Sequence, residues 1–410
     1  MTRIGLLLSS LVLAAGCKPA RSTTEPGGSR APKGPSTVAA DIDISMKGES
    51  AKPRTPQDLD VLLDEVRERS GVPGIAAAVI DASGVLAIGT AGGRRADEPA
   101  ELTADDVFHL GSDTKAMTAL LVARLVEAGE LRWDLSMLEA FGPEAAVVMH
   151  PDFREVTLTQ LMRHRSGIAV DVSEFSEGMV ERLGNTPTLQ RRFIVTLEAL
   201  AAKPRFTPGS NFEYSNFGYV AVGAAIERTT GRSWEDELKT RVFEPLGMDS
   251  CGFGPTAVGE ARDQPWAHEE QAGAFVPVDV DNPPFLGPAG GVHCNLEDWG
   301  KFAAVFFEGS SFVSADSIDR LTSPVPKSDE RGGGYALGWA VPEPEMFGIP
   351  VLTHDGSNTV NYASIIVMPS LGAAVLVAVN AGGERAQTAA VAAALELARR
   401  TRGPDEAQPD

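Results

Sequence analysis

The chain has 410 residues, 43% of them hydrophobic, enough for a sizeable core in one large domain or two small ones. Its formal net charge of -20 argues against nucleic acid, whose phosphates need a basic face, and against adhesion to anionic lipid by charge alone. No Lys/Arg-rich patch reverses that balance.

Residues 1–16 read as a signal peptide: Arg3 is the charged flank, Ile4 to Ala15 the apolar run, and Ala14, Ala15 and Gly16 the small residues before Cys17. The run is too short for a mature membrane span. The arrangement resembles a bacterial lipoprotein signal, which implies lipidation of Cys17 and a membrane anchor on the exported side of the cell envelope. Ala14 stands where leucine is commoner, so plain secretion remains the alternative. Residues 17–55 are rich in Pro, Gly, Ser and Thr and poor in large apolar groups, so they read as a disordered tether.

Folded sequence is expected over 56–400. Gln57 to Arg69 patterns as an amphipathic helix, with Leu59, Leu62, Leu63 and Val66 on one face. Ile75 to Ile80 and Val85 to Gly89 read as a β-hairpin. From about 135 to 325 helical pieces alternate with Gly/Pro loops, with periodic segments near Thr157 to Arg163, Gly218 to Thr229 and Leu296 to Phe307. Strands return at Tyr335 to Val341, Val351 to His354, Tyr362 to Met368 and Ala373 to Val379, and a helix over Ala386 to Arg400 precedes a tail at 401–410. The fold class is therefore α/β: an antiparallel sheet flanked by helices, plus a mostly α-helical lobe. Cys251 and Cys294 could pair after export or remain two buried thiols.

The chemistry centres on Phe108 to Trp133. Met117, Leu120, Leu121, Leu125 and Val126 recur at i, i+3 and i+4, the mark of a helix with one buried stripe. Ser112 stands at its head, and Asp113 places a carboxylate in the first turn, where the helix dipole favours negative charge. Lys115 follows three residues later, its Cβ roughly 5 to 6 Å from that of the serine. A serine hydroxyl becomes a useful nucleophile when a base accepts its proton, and a lysine kept neutral by burial can be that base. The helix start also aims backbone N–H groups at a developing oxyanion. Alone, S-x-x-K is a weak signal, since a chain of this length holds roughly one by accident.

Two further stretches could meet Ser112. Tyr214-Ser215-Asn216 follows Pro208-Gly209-Ser210 in a predicted loop, where a phenol can relay a proton and an amide can hold a lysine or a substrate carbonyl. His354-Asp355-Gly356-Ser357 ends a predicted strand, where a glycine lets a ligand backbone approach and the next N–H can serve as an oxyanion donor. The other histidines, His109, His150, His164, His268 and His293, show no paired metal spacing, and no phosphate-binding G-x-x-x-x-G-K-[ST] loop exists.

In order and approximate spacing, Ser112-Asp113-Thr114-Lys115, Tyr214-Ser215-Asn216 and His354-Asp355-Gly356 resemble the three motifs of the serine β-lactamase and penicillin-binding family, in its class C-like, DD-peptidase and esterase branch. Leu158 to Gly167 is similar to that family's "LLxHxSG" stretch, and Pro288-Ala289-Gly290-Gly291 to its glycine-rich loop. The resemblance spans roughly Leu59 to Leu397. It implies Ser112 as acylated nucleophile, Lys115 as base partner, Tyr214 as proton shuttle, Asn216 as a contact to substrate and Lys115, and the N–H groups of Ser112 and Ser357 as the oxyanion hole beside Gly356. His354 takes the place of a lysine in many members; an imidazole draws a substrate carboxylate less strongly, which favours esterase or D-amino peptidase chemistry over strong β-lactamase activity. Arg165 stands where a small polar residue is usual. The expectation is a serine hydrolase without metal or other cofactor, acting through an acyl-enzyme on the ester, amide or lactam carbonyl of a small molecule or peptide. The alternative is a non-catalytic or slowly deacylating penicillin-binding sensor of cell-wall fragments.

Overall fold

A computed structural model describes residues 56–168, 182–184, 186–326 and 333–402. The leader, Cys17, the tether and residues 403–410 lie outside them. The described chain enters through helix α1 (Pro56–Ser70) and the hairpin of β1 (Gly74–Asp81) and β2 (Gly84–Gly92), then passes β3 (Phe108–His109) to helix α2 (Thr114–Glu127). A helix-rich stretch follows: α3 (Met137–Ala145), α4 (Leu158–Met162), α5 (Thr188–Ala201), α6 (Asn216–Thr230) and α7 (Trp234–Leu238). Short strands β4 (Gly252–Phe253), β5 (Ala267–Gln271), β6 (Ala274–Val278) and β7 (Val292–Cys294) then precede α8 (Leu296–Ala304) and α9 (Ala315–Thr322). The chain closes with β8 (Val325–Pro326), β9 (Gly334–Tyr335), β10 (Ala340–Val341), β11 (Leu352–Ser357), β12 (Tyr362–Met368), β13 (Ala373–Val379) and α10 (Glu384–Arg402).

The main sheet is antiparallel, with strand order β2-β1-β13-β12-β11-β10-β9-β8. Strand alternation divides its side chains into two cores. Ile75, Ala77 and Val79 of β1 join Val375, Val377 and Val379 of β13 beneath α1 and α10, while Ala76, Ala78, Ile80, Ala374, Leu376 and Ala378 face the larger core that contains α2. Because both faces are covered, these strands are apolar throughout.

The sequence predicts one buried stripe on α2, whereas Thr114 to Ala123 are all buried. It lies inside the larger core, among neighbouring helices and the inner face of the sheet, a position open to a segment whose only polar groups are small hydroxyls and one lysine. Met117, Leu120, Leu121 and Leu125 are fully buried; at roughly 1.5 to 3 kcal/mol each they contribute on the order of 10 kcal/mol before ordering entropy is subtracted.

Three expected elements differ. The apolar run Tyr335 to Val341 is two short strands, because the chain reverses at Gly338, with φ 83°, and presses against α2: a Cβ at Gly338 would lie 2.6 Å from the Ala116 nitrogen. The strand expected to end at His354 continues to Ser357. Among its described residues, the region 135–325 also holds four short strands of two to five residues. Cys251 and Cys294 form a disulfide joining the loop before β4 to the end of β7.

Candidate active site

Ser112 lies in a tight helical turn, Gly111–Asp113, that leads directly into α2. The first amides of a helix have no intrahelical acceptor, so this turn directs N–H groups outward. Lys115 is fully buried on the first turn of α2, with its Nζ 2.9 Å from Ser112 Oγ, 2.7 Å from Asn216 Oδ1 and 2.7 Å from the Ala289 carbonyl oxygen. Two of these neighbours are oxygens that only accept. A neutral amine has two hydrogens and one lone pair, so donation to Asn216 and Ala289 leaves the lone pair for the Ser112 hydroxyl. Burial drives the Lys115 pKa well below the ordinary lysine value, against an opposing pull from Asp113.

The glycine-rich stretch is fixed to the same helix. Thr118 Oγ1 donates to the Pro288 carbonyl at 2.8 Å, and Thr114 Oγ1 accepts from Val292 N–H at 3.1 Å. The Ala289 carbonyl is thereby held over Lys115.

Tyr214-Ser215-Asn216 enters the site at the start of α6, where Ser215 caps the helix through its hydroxyl. The Tyr214 ring comes up beside Lys115, whose Nζ lies 4.8 Å from its centre. Burial pushes the phenol's pKa above its usual value. The loop is held by His164, whose Nδ1 accepts from Ser215 N–H at 3.0 Å and whose ring centre lies 4.3 Å from that of Tyr214. His164 is fully buried and adopts φ 56°, a conformation a non-glycine residue rarely takes unless its surroundings fix it. Sequence reading grouped His164 with uninformative histidines; its membership of the "LLxHxSG" stretch was the available signal. Arg165 turns away toward the Pro208-Gly209 bend and donates to the Gly209 carbonyl at 2.5 and 3.1 Å.

The wall opposite is the end of β11. This strand pairs with β10 only at Thr353, so its last residues are free of that neighbour and the Gly111–Ser112 backbone lies against them. A Cβ at Gly356 would stand 1.9 Å from the Leu110 oxygen and 3.0 Å from Ser112 N, and one at Gly111 would stand 2.3 Å from Ser357 N. The sequence reading gave Gly356 the task of admitting a ligand; here its missing side chain admits the protein's own nucleophile turn and brings the Ser112 and Ser357 amides together. The Ser357 hydroxyl donates to the Asn361 carbonyl at 2.9 Å and so braces the end of the strand.

His354 occupies a different place from that expected of a residue meeting substrate. It is buried, with Nδ1 3.1 Å from Asp113 Oδ1 and Nε2 3.0 Å from the Tyr335 hydroxyl. Asp113 is likewise buried and caps no helix amide with its side chain, so the dipole role read from sequence gives way to pairing with His354. Tyr335 had no local signal: it reaches this cluster only through His354, 19 residues further along the chain. Behind it, His109 Nε2 meets Asp281 Oδ1 at 3.1 Å, and Asn358 donates to the same oxygen at 2.8 Å. Among the described residues, no group of three or more His, Cys, Asp or Glu is placed to hold a metal ion.

The sequence model described as "Beta-lactamase" matches residues 59–398, most of the chain. The chain belongs to the beta-lactamase family. Penicillin-binding protein 4 of Amycolatopsis lactamdurans is 30% identical over 339 residues, covering 78% of this chain and 84% of that protein. Unguisins hydrolase ungD' of Aspergillus campestris is 26% identical over 82% of this chain and 64% of its own length, and esterase EstB of Burkholderia gladioli is 34% identical over 48% and 50% respectively. The chain thus spans half to about two thirds of the last two relatives. A D-stereospecific amidohydrolase from Streptomyces sp. has a similar structure, with TM-score 0.65 and 25% identity over 82% of this chain and 98% of that one. The family's transpeptidase-like sheet and helical lobe is the architecture described above.

Proposed function

We propose that the protein is a serine hydrolase that forms an acyl-enzyme on ester or amide carbonyls, with Ser112 as nucleophile. The observation that carries this reading is the Lys115 amine, buried and 2.9 Å from Ser112 Oγ while its hydrogens have two other acceptors. In this mechanism Lys115 takes the Ser112 proton as Oγ attacks the carbonyl carbon. The N–H groups of Ser112 and Ser357 receive the oxyanion, and Asn216 holds Lys115 in register. Tyr214 passes the proton to the leaving alcohol or amine, and water then attacks the acyl-serine with the same groups acting in reverse.

Three features support an esterase or D-amino peptidase, including carboxypeptidase action, over a strong β-lactamase. Both ring nitrogens of His354 are occupied by Asp113 and Tyr335, so the position that carries lysine in many members presents no ammonium to a substrate carboxylate. One relative is named an esterase, and a similar structure is that of a D-stereospecific amidohydrolase. Hydrolysis of p-nitrophenyl esters, D-amino acid amides, D-Ala-D-Ala peptides and cephalosporins by one preparation tests the order, with the esters and D-amides expected to turn over fastest. Efficient cephalosporin turnover with inert esters would reverse the reading.

The second reading, a slowly deacylating sensor of cell-wall fragments, draws on the similarity to a penicillin-binding protein; persistent stoichiometric acylation by penicillin would select it. Export is also part of the proposal: a signal peptide, lipidation at Cys17 and a tether to 55 would carry the catalytic domain on the outer side of a membrane. Incorporation of labelled palmitate that is abolished by Cys17→Ser checks it; an unlabelled wild-type protein would leave plain secretion.

A further inference from the structure

The amides of Ser112 and Ser357 lie on separate pieces of backbone that press together without bonding to each other. A Cβ at Gly111 would stand 2.3 Å from Ser357 N, yet among the described residues no backbone hydrogen bond joins Gly111 or Ser112 to Gly356 or Ser357. Side chains make the ties instead. The contact of Asp113 with His354 joins the residue after Ser112 to a residue three before Ser357. A second tie runs through His109, Asp281 and Asn358. Gly111 N–H donates to His109 Nδ1 at 3.1 Å, His109 Nε2 faces Asp281 Oδ1 at 3.1 Å, and Asn358 Nδ2 donates to that same oxygen at 2.8 Å. This relay grips the residue before Ser112 and the residue after Ser357.

The backbone decides where the imidazole carries its hydrogen. An amide N–H can only donate, so His109 Nδ1 must offer a lone pair, and the neutral ring bears its hydrogen on Nε2, the nitrogen that faces Asp281. The approach is bent away from a straight hydrogen bond, so the attraction is that of an N–H dipole to a carboxylate. Asp281 Oδ1 also accepts from Asn282 N–H at 2.7 Å, and donors converging on one oxygen suit an ionised carboxylate. Asn282 Nδ2 in turn donates to the Gly290 carbonyl at 2.8 Å, next to the Ala289 carbonyl that holds Lys115. We propose that His109, Asp281 and Asn358 are positioning residues that set the separation of the Ser112 and Ser357 amides and, through Asn282, fix that pair against the wall carrying Ala289.

Both ends of the relay are anchored. His109 is buried on β3, whose backbone pairs with β7 opposite His293, and Leu110 N–H donates to the Val292 carbonyl at 2.9 Å. At the other end the turn after β11 holds Thr359 at φ 76°, a conformation that a β-branched residue takes only where its surroundings impose it. Asn358 is one source of that constraint. It is buried, its Oδ1 accepts from Asn361 Nδ2 at 3.2 Å and from Val360 N–H at 3.4 Å, and its Nδ2 is held by Asp281. A buried histidine and carboxylate could serve stability alone; what assigns them to the site is that their hydrogen bonds end at Gly111 and Asn358, each adjacent to an oxyanion donor.

The proposal rests on the hydrolase reading of Ser112, but its first test reads the resting protein without substrate. In the 15N spectrum of histidine-labelled protein near pH 7, assigned against His109→Gln, His109 is expected to be protonated at Nε2 and bare at Nδ1. A ring protonated at Nδ1, alone or together with Nε2, would deprive Gly111 N–H of its acceptor and overturn the proposal. In a second test, Asp281→Ala is expected to lower kcat on a p-nitrophenyl ester by about 10- to 100-fold, the scale of a displacement approaching 1 Å, with KM changed by less than about threefold. Asp281→Asn keeps an oxygen for both donors and is expected to recover most of that loss. A folded Asp281→Ala with the parent's kcat, or an equal loss in Asp281→Asn, would overturn the proposal. The double variant His109→Ala, Asn358→Ala is expected to be about as slow as the slower single one, since either change breaks the same relay; losses that multiply would overturn it. Full turnover by Ser112→Ala would defeat the hydrolase reading and leave the nitrogen spectrum intact, so the two failures are distinguishable.

Discussion

The two oxyanion amides belong to the backbone and cannot be deleted by substitution, but Gly356→Ala displaces them. The added Cβ would lie 1.9 Å from the Leu110 oxygen, where ordinary contact begins at 3.4 Å. Its two principal neighbours, the Leu110 carbonyl and Ser112 N, are backbone atoms, so no side chain can turn aside to relieve the overlap. The strand end and the nucleophile turn must separate by about 1.5 Å, the shortfall between these two distances. A displacement near 1 Å costs on the order of 100-fold in a positioned reaction, and loss of one oxyanion donor costs about 100- to 1,000-fold in kcat. Gly356→Ala is therefore expected to lower kcat on a p-nitrophenyl ester by about 100-fold or more, with a smaller change in KM. Stopped-flow ester cleavage gives the rate, and circular dichroism confirms that the sheet persists. A folded variant with kcat within threefold of the parent would refute the placement of the oxyanion site.

Further outcomes follow from the same geometry. Because Lys115 acts as a neutral base and burial lowers its pKa, kcat/KM for a neutral ester is expected to be full at alkaline pH. It should fall as pH drops through the lowered lysine value and the amine gains its proton; a limb centred near the ordinary 10.5 would contradict this. His164→Ala removes the acceptor for Ser215 N–H and the ring under Tyr214. Stability to urea should fall by about 2 to 4 kcal/mol through the stranded donor and the cavity, and kcat by about tenfold or more as the loop loosens. Reduction of the Cys251–Cys294 bond, which spans 43 residues, should cost about 4 kcal/mol by loop entropy, read as a lower urea midpoint in dithiothreitol.

The strands Tyr362–Met368 and Ala373–Val379 were legible because both faces are buried and the runs are apolar but for Ser364. Ser112 and Lys115 were legible as neighbours because helical spacing alone brings i and i+3 together. The direction of His354 was not. Strand parity places it on the same side as Leu352 and Gly356, but its partners come from a helix turn 241 residues away and from another strand. Asp113 misled for a related reason: at a helix start the dipole suffices to explain a carboxylate, and nothing local shows that the turn will be buried. The helical lobe was readable as helices, while its strands are only two to five residues long and the Gly338 reversal depends on a contact with α2 that leaves no period in the sequence.

The central claim is a covalent bond to Ser112. Incubation of the protein with a fluorophosphonate, or rapid quenching of ester turnover, followed by intact-mass and peptide mass spectrometry, measures it directly. A single adduct on the peptide containing Ser112, absent from Ser112→Ala together with turnover, is the result expected here. An adduct on another residue, or undiminished hydrolysis by Ser112→Ala, would contradict it.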